Sequence, residues 1–243
     1  MVTPRHLNKA PITEALVDVR VKLRPDIDLS TLQSVADSAS GDYPEKKERI
    51  RVDSKFEFKT KQSKTTFDVD GYLCTSSDQK QVVQFRLDGF TFSRLRPYKT
   101  WEDLREEAYR LWQLYVRATS PEWVTRVAVR YLNQLEIPLL RELSDYLTSP
   151  PTIPRDLPQV LNGFLMRYVI RDPSSDMVGI VMQSFEPVKA PDMAPVVLDI
   201  DVFKEVQYNV DAKTTWETLD QLRGFKNRIF FESITEKIVE LYK

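Results

Sequence analysis

The chain has 243 residues, with 35 basic against 36 acidic side chains, a formal charge of −1, and 42% hydrophobic residues. That composition suits a globular protein with a sizeable core, and the balanced charge excludes bulk attraction to nucleic acid or an acidic membrane surface. A single cysteine, Cys74, and a single histidine, His6, exclude an intramolecular disulfide, a cysteine-built metal cluster, histidine triads and two-histidine metal sites.

The N-terminus, Met1 to His6, lacks the apolar stretch of a secretory signal, and no apolar run reaches the length of a membrane span. The expectation is a cytoplasmic protein with no membrane partner.

From Glu14 to Leu23, Ala15, Val17, Val19, Val21 and Leu23 alternate with charged residues, the pattern of a half-buried strand. Asp28 to Ser40 reads as a short helix. Strands follow over 50–58 and 67–73, joined by the polar turn 61–64, and a third, long strand is expected from about Gln81 to Leu95. Cys74, at a strand end, reads as a small buried residue and not a nucleophile. After Thr100, a capping residue, Trp101, Leu104, Ala108, Leu111, Trp112 and Tyr115 form one apolar stripe at helical spacing. These tryptophans read as packing residues.

The order then repeats. A strand is expected over 123–137, a short helix over 139–147, and a loop containing Pro150, Pro151, Pro154 and Pro158. A hairpin follows, 164–172 and 177–185, turning at Pro173 to Asp176. A long strand, 196–208, precedes a helix capped by Thr215, bent near Gly224 and running to the C-terminus. The repetition extends to residue identities. Pro11, Val17, Val19 and Arg20 recur 110 positions later as Pro121, Val127, Val129 and Arg130; Thr100-Trp101-Glu102 and Leu104 recur 115 later as Thr215-Trp216-Glu217 and Leu219. A match at nearly fixed offset indicates a doubled unit. The predicted architecture is α+β: a single domain, residues 1–243, of two β-α-β-β-β-α repeats (about 10–119 and 120–243). Together they build an eight-stranded, mostly antiparallel curved sheet or wide barrel with helices outside.

The polar sides of these strands carry the candidate chemistry. Arg20, Lys22, Arg86, Arg126, Arg130 and Arg167 are candidate ligand-binding residues, because guanidinium forks pair bidentately with phosphate oxygens. Glu14, Asp18, Asp199 and Asp201 are candidate metal ligands, with magnesium the cation that such carboxylates suit. Asp199 and Asp201 put two like charges about 7 Å apart on one strand. With six glycines in the chain, no phosphate-cradling Gly-rich loop is present. Basic clusters at Lys46-Lys47 and 59–64 read better as a hydrated hairpin edge than as a nucleic-acid patch.

Ala10-Pro11-Ile12-Thr13-Glu14-Ala15, the run Arg126 to Asn133, Ile137-Pro138 and Leu198-Asp199-Ile200-Asp201-Val202-Phe203 resemble a sporadically distributed family of uncharacterised bacterial proteins. Its patchy occurrence implies a mobile-element or defence context. The doubled order also looks like the triphosphate tunnel fold of the adenylate cyclase/thiamine triphosphatase superfamily, which implies a charged channel for triphosphate and magnesium. The first-strand acid-x-acid-x-lysine pattern of that superfamily is not reproduced by Glu14, Leu16, Asp18, Arg20 and Lys22.

Three functional readings stand open at this point. One is a charged tunnel or concave sheet face that binds a phosphate-containing ligand and regulates a partner. Another is a non-catalytic interaction module, defence or toxin–antitoxin-like, working with a protein from a neighbouring gene. The third is a metal-dependent triphosphate hydrolase or cyclase-like enzyme.

Overall fold

A computed structural model describes residues 7–57, 62–138, 142–185, 193–210 and 212–243. His6, the turn at 61 and part of the expected 139–147 helix lie outside them. At its centre two strands pair antiparallel, β1 (Ile12–Lys22) and β6 (Trp123–Pro138). Asp18 lies opposite Ala128, its own match under the 110-residue shift, so Val17 faces Val129 and Val19 faces Val127. The two sequence-matched strands are thereby related by an approximate two-fold axis.

The sheet grows outward from that pair. On one side come β5 (Gly89–Leu95), β4 (Gln81–Arg86), β3 (Gln62–Thr75) and β2 (Glu45–Glu57). On the other come β9 (Met193–Tyr208), β8 (Met177–Phe185) and β7 (Phe164–Asp172). The result is one curved, open, antiparallel sheet of nine strands in the order β2-β3-β4-β5-β1-β6-β9-β8-β7. The fold class is α+β with a curved sheet, as expected, but with nine strands and not eight. The barrel alternative does not hold, since β2 and β7 stand at opposite ends of a linear order.

The additional strand arises where one long strand was expected over 81–95. Leu87 and Asp88 form a two-residue turn that folds it into the β4–β5 hairpin, with Arg86 opposite Gly89. Gly89 has φ +149°, and a Cβ there would lie 2.3 Å from the Val19 carbonyl oxygen. Only glycine fits such a position. Gly71 is as tightly held, since a Cβ would meet the Phe85 carbonyl oxygen at 2.1 Å.

Helices cover one face. α1 (Leu29–Ser38) starts at Asp28, whose carboxylate accepts from the Ser30 and Thr31 backbone N–H groups, and it packs over β3, β4 and α2. α2 (Trp101–Thr119) is capped by Thr100, which accepts from Asp103 N at 3.1 Å. Its whole predicted stripe, from Trp101 to Tyr115, is buried. α3 (Ala212–Ser233) lies over β6 and β9, and a short α4 (Glu236–Leu241) follows.

Two helix expectations need correction. Thr215 does not cap α3. The helix begins at Ala212, which places Thr215 inside it, fully buried, with a hydroxyl that finds no hydrogen-bond partner. Nor does the helix run to the C-terminus: it ends at Ser233, and before α4 Thr235 donates to the Tyr146 and Asp145 carbonyls. Over the described part of 139–147, only a 3-10 turn forms, Leu143–Asp145.

The helices meet across the same approximate axis. Arg105 and Asp220, matches under the 115-residue shift, pair at 3.3 Å. Trp101 Nε1 donates to Asp220 Oδ1 at 2.8 Å, and Arg105 sits over the Trp216 ring at 5.5 Å. No helix among the described residues is long and apolar enough to cross a membrane.

Candidate functional site

The face of the sheet opposite the helices holds the polar positions of the strands. Because residues opposite each other across a ladder share a face, the registers define rows across it. Arg49, Gly71, Arg86, Gly89, Arg20, Arg126 and Glu205 form one row. Asp18 belongs to the next, between Thr91 and Ala128, with Phe203 and Val178 beyond. Leu16, Arg130, Asp201 and Ile180 form a third row. Glu14, Leu132, Asp199, Met182 and Arg167 form a fourth. Nine of the ten predicted site residues thus share one face. The tenth, Lys22, lies past the bulge after Arg20 and pairs with Glu122 at 3.0 Å.

Four of the five predicted guanidinium groups on this face meet carboxylates. Asp18 is the hub, 8% exposed. Its Oδ2 accepts from Arg86 Nη2 at 2.9 Å and from Thr91 Oγ1 at 2.8 Å; its Oδ1 accepts from Arg126 Nη1 at 3.1 Å. Arg20 Nε stands 3.7 Å from the same oxygen. Arg126 reaches on to Asp201 at 3.4 Å and lies over the Phe203 ring at 4.3 Å. Arg86 also donates to Asp88 at 2.8 Å. Separately, Arg130 grips Asp199 with two bonds, 2.8 and 2.5 Å.

Four arginines therefore face four aspartates: Arg20, Arg86, Arg126 and Arg130 against Asp18, Asp88, Asp199 and Asp201. Burial pushes Arg86 down, but Asp18 and Asp88 outweigh it and hold the group above its ordinary value. Burial raises Asp201, against the pull of Arg126 and Arg130. Glu14 is within electrostatic reach of Arg130, whereas Arg167 stands apart on β7, three strands out from β6.

Among the described residues, no three His, Cys, Asp or Glu side chains come together as a metal-ion cage. Cys74 is buried, and burial pushes its thiol up to about 11, an inert group.

Two polar groups of interest lie on the helix-covered side, and neither was among the predicted site residues. Lys226 interrupts a buried stripe of α3, Leu219, Leu222 and Ile229, and is itself 7% exposed. Gln183 interrupts the inward side of β8, Met177, Gly179, Val181 and Phe185, and is 0% exposed with neither amide atom hydrogen-bonded. In both, the readable signal is one polar residue at a position that the period assigns to the core. Compared with protein-family models and with curated proteins, the chain matches none.

Proposed function

We propose that the protein is a non-catalytic binding module that receives a protein partner on the helix-free face of its sheet. The observation that carries this reading is the mutual pairing of Arg20, Arg86, Arg126 and Arg130 with four aspartates. Satisfied ion pairs on a sheet face orient a partner and exclude wrong ones, and they offer little uncompensated charge to a small anion.

Apolar side chains lie between and beside the ion pairs. Phe203, Val178, Ile180 and Met182 are partly accessible, and at the β7 edge Leu165 and Val169 are exposed, flanked by Arg167 and Arg171. Aromatic and aliphatic groups bordered by arginine are the composition of an interface core. The partner this surface fits presents apolar and acidic groups.

The test is recovery of a stoichiometric complex with the product of a neighbouring gene, using Ile180→Asp and Arg167→Glu as matched variants. Loss of the complex in both variants, with unchanged melting, supports the reading. A protein that stays monomeric beside every such candidate rejects it.

The row of Arg49, Arg86, Arg20 and Arg126 favours a second reading, a phosphate-bearing ligand lying along that line. Titration with tripolyphosphate and nucleoside triphosphates, with and without magnesium, separates the two. Saturable binding lost in Arg126→Ala selects the ligand; no heat at millimolar concentration removes it.

A further inference from the structure

On the other side of the sheet, the amine of Lys226 has an environment that the binding-face reading leaves unexplained. Its Nζ lies 3.8 Å from the centroid of the Tyr131 ring, and no hydrogen bond or ion pair from a described residue reaches it. An ammonium group taken out of water without a counter-charge is among the costliest arrangements in a protein interior. Burial, followed by the repulsion of Arg223, pushes Lys226 down to about 7.

Lys226 borders a cavity of about 90 Å³ between the Leu7–Ile12 segment, the chain before α2, β6 and α3. Among the described residues, three cationic side chains line it, Lys226, Arg223 and Lys99, and no carboxylate does. The groups facing the amine are Arg223 on its own helix, Lys99 and Tyr98 from the connection before α2, and Tyr131 on β6. Arg223 has a distant partner, Glu102 at 3.9 Å. Asn133 spends its amide on the Leu198 and Tyr131 carbonyls. Tyr98 and Tyr131 hydroxyls share one contact at 3.3 Å.

We infer that this cavity is a binding site for a short-chain carboxylate, whose oxygens provide the counter-charge that Lys226 lacks. The volume corresponds to about three water molecules, which suits an anion of a few heavy atoms. Ile12, Phe230 and Phe231 on the wall offer an alkyl group contact but no hydrogen-bond donors from their side chains. A phosphate dianion, with four oxygens to satisfy, would leave some of them against apolar carbon.

Calorimetric titration with acetate, propionate and inorganic phosphate tests this on the whole chain, at pH values either side of about 7. Propionate binds most tightly, more so on the acid side where the amine is charged, and Lys226→Met weakens it at least about tenfold. Lys226→Met removes an unpaired charge from the interior and is expected to melt higher; Lys226→Gln repeats the test should that variant fail to fold. Absence of carboxylate binding, phosphate binding more tightly than propionate, or undiminished binding in the variants overturns the proposal.

Discussion

The two ends of the sheet are built on one plan and finished differently. At the β3–β4 end, α1 lies across the strands and seals them; Val83, Phe85, Phe90 and Phe92 are wholly buried, and Phe90 packs edge-on against Trp112. At the β7–β8 end no α-helix among the described residues takes the place of α1. The connection there runs through a 3-10 turn and a proline-containing loop, and Tyr168 and Ile170 remain partly exposed beside a cleft of about 280 Å³. Gln183 lies at that cleft with its amide unpaired. The contrast shows that a common strand frame sets topology, whereas a single connecting segment decides whether a sheet end is sealed or accessible.

The largest test of that contrast pairs one residue from each end. Phe85→Ala should cost about 3–5 kcal/mol in denaturant unfolding, as a buried aromatic lost from a sealed core does. Ile170→Ala should cost less than about 1 kcal/mol, because its side chain already meets solvent. Equal losses would mean that the β7–β8 end is as tightly packed as the other.

Asp18 sits where the halves join, so its removal acts on both. Asp18→Ala strips the shared acceptor from Arg86 and Arg126, and roughly 3 kcal/mol of stability should go with it. Arg171→Ala, which breaks the exposed pair with Asp176, should change stability by less than about 0.5 kcal/mol.

Lys226 is the next asymmetry. Under the 115-residue shift its counterpart is Leu111, wholly buried in α2. The folded state holds Lys226 near 7, below the 10.5 of a free lysine. Between those values the unfolded chain binds the additional proton, so stability must rise with pH across that window. Between pH 7 and about 9 the rise should amount to roughly 2 kcal/mol, and Lys226→Leu, which restores the first half's choice, should flatten it. Gln183→Met, which removes an unsatisfied amide, should stabilise by about 1 kcal/mol.

Much of this frame was legible because burial writes itself into periodicity. The stripe from Trp101 to Tyr115 and the alternation of Ala15 to Val21 report the helix-covered core directly. Asp18, Arg20, Arg126, Arg130, Asp199 and Asp201 could be assigned to one polar face for the same reason. Which of them pair could not be read, because pairing depends on register, and register is set by turns elsewhere in the chain. The β4–β5 hairpin was missed although Asp88-Gly89 is a hairpin signal, since apolar residues continue on both sides of it. Lys226 and Gln183 each look like a lapse in a pattern, and a lapse acquires meaning only when its neighbours in space are known.

The free edges of the sheet carry a further consequence. β2 has nine charged residues among its thirteen, whereas β7 has three among nine, with Leu165, Val169 and Ile170 in reach of solvent. Charge guards one margin against strand addition and leaves the other adhesive. Two sheets that met through β7 alone would leave only their charged β2 margins outward, and that charge opposes further strand addition.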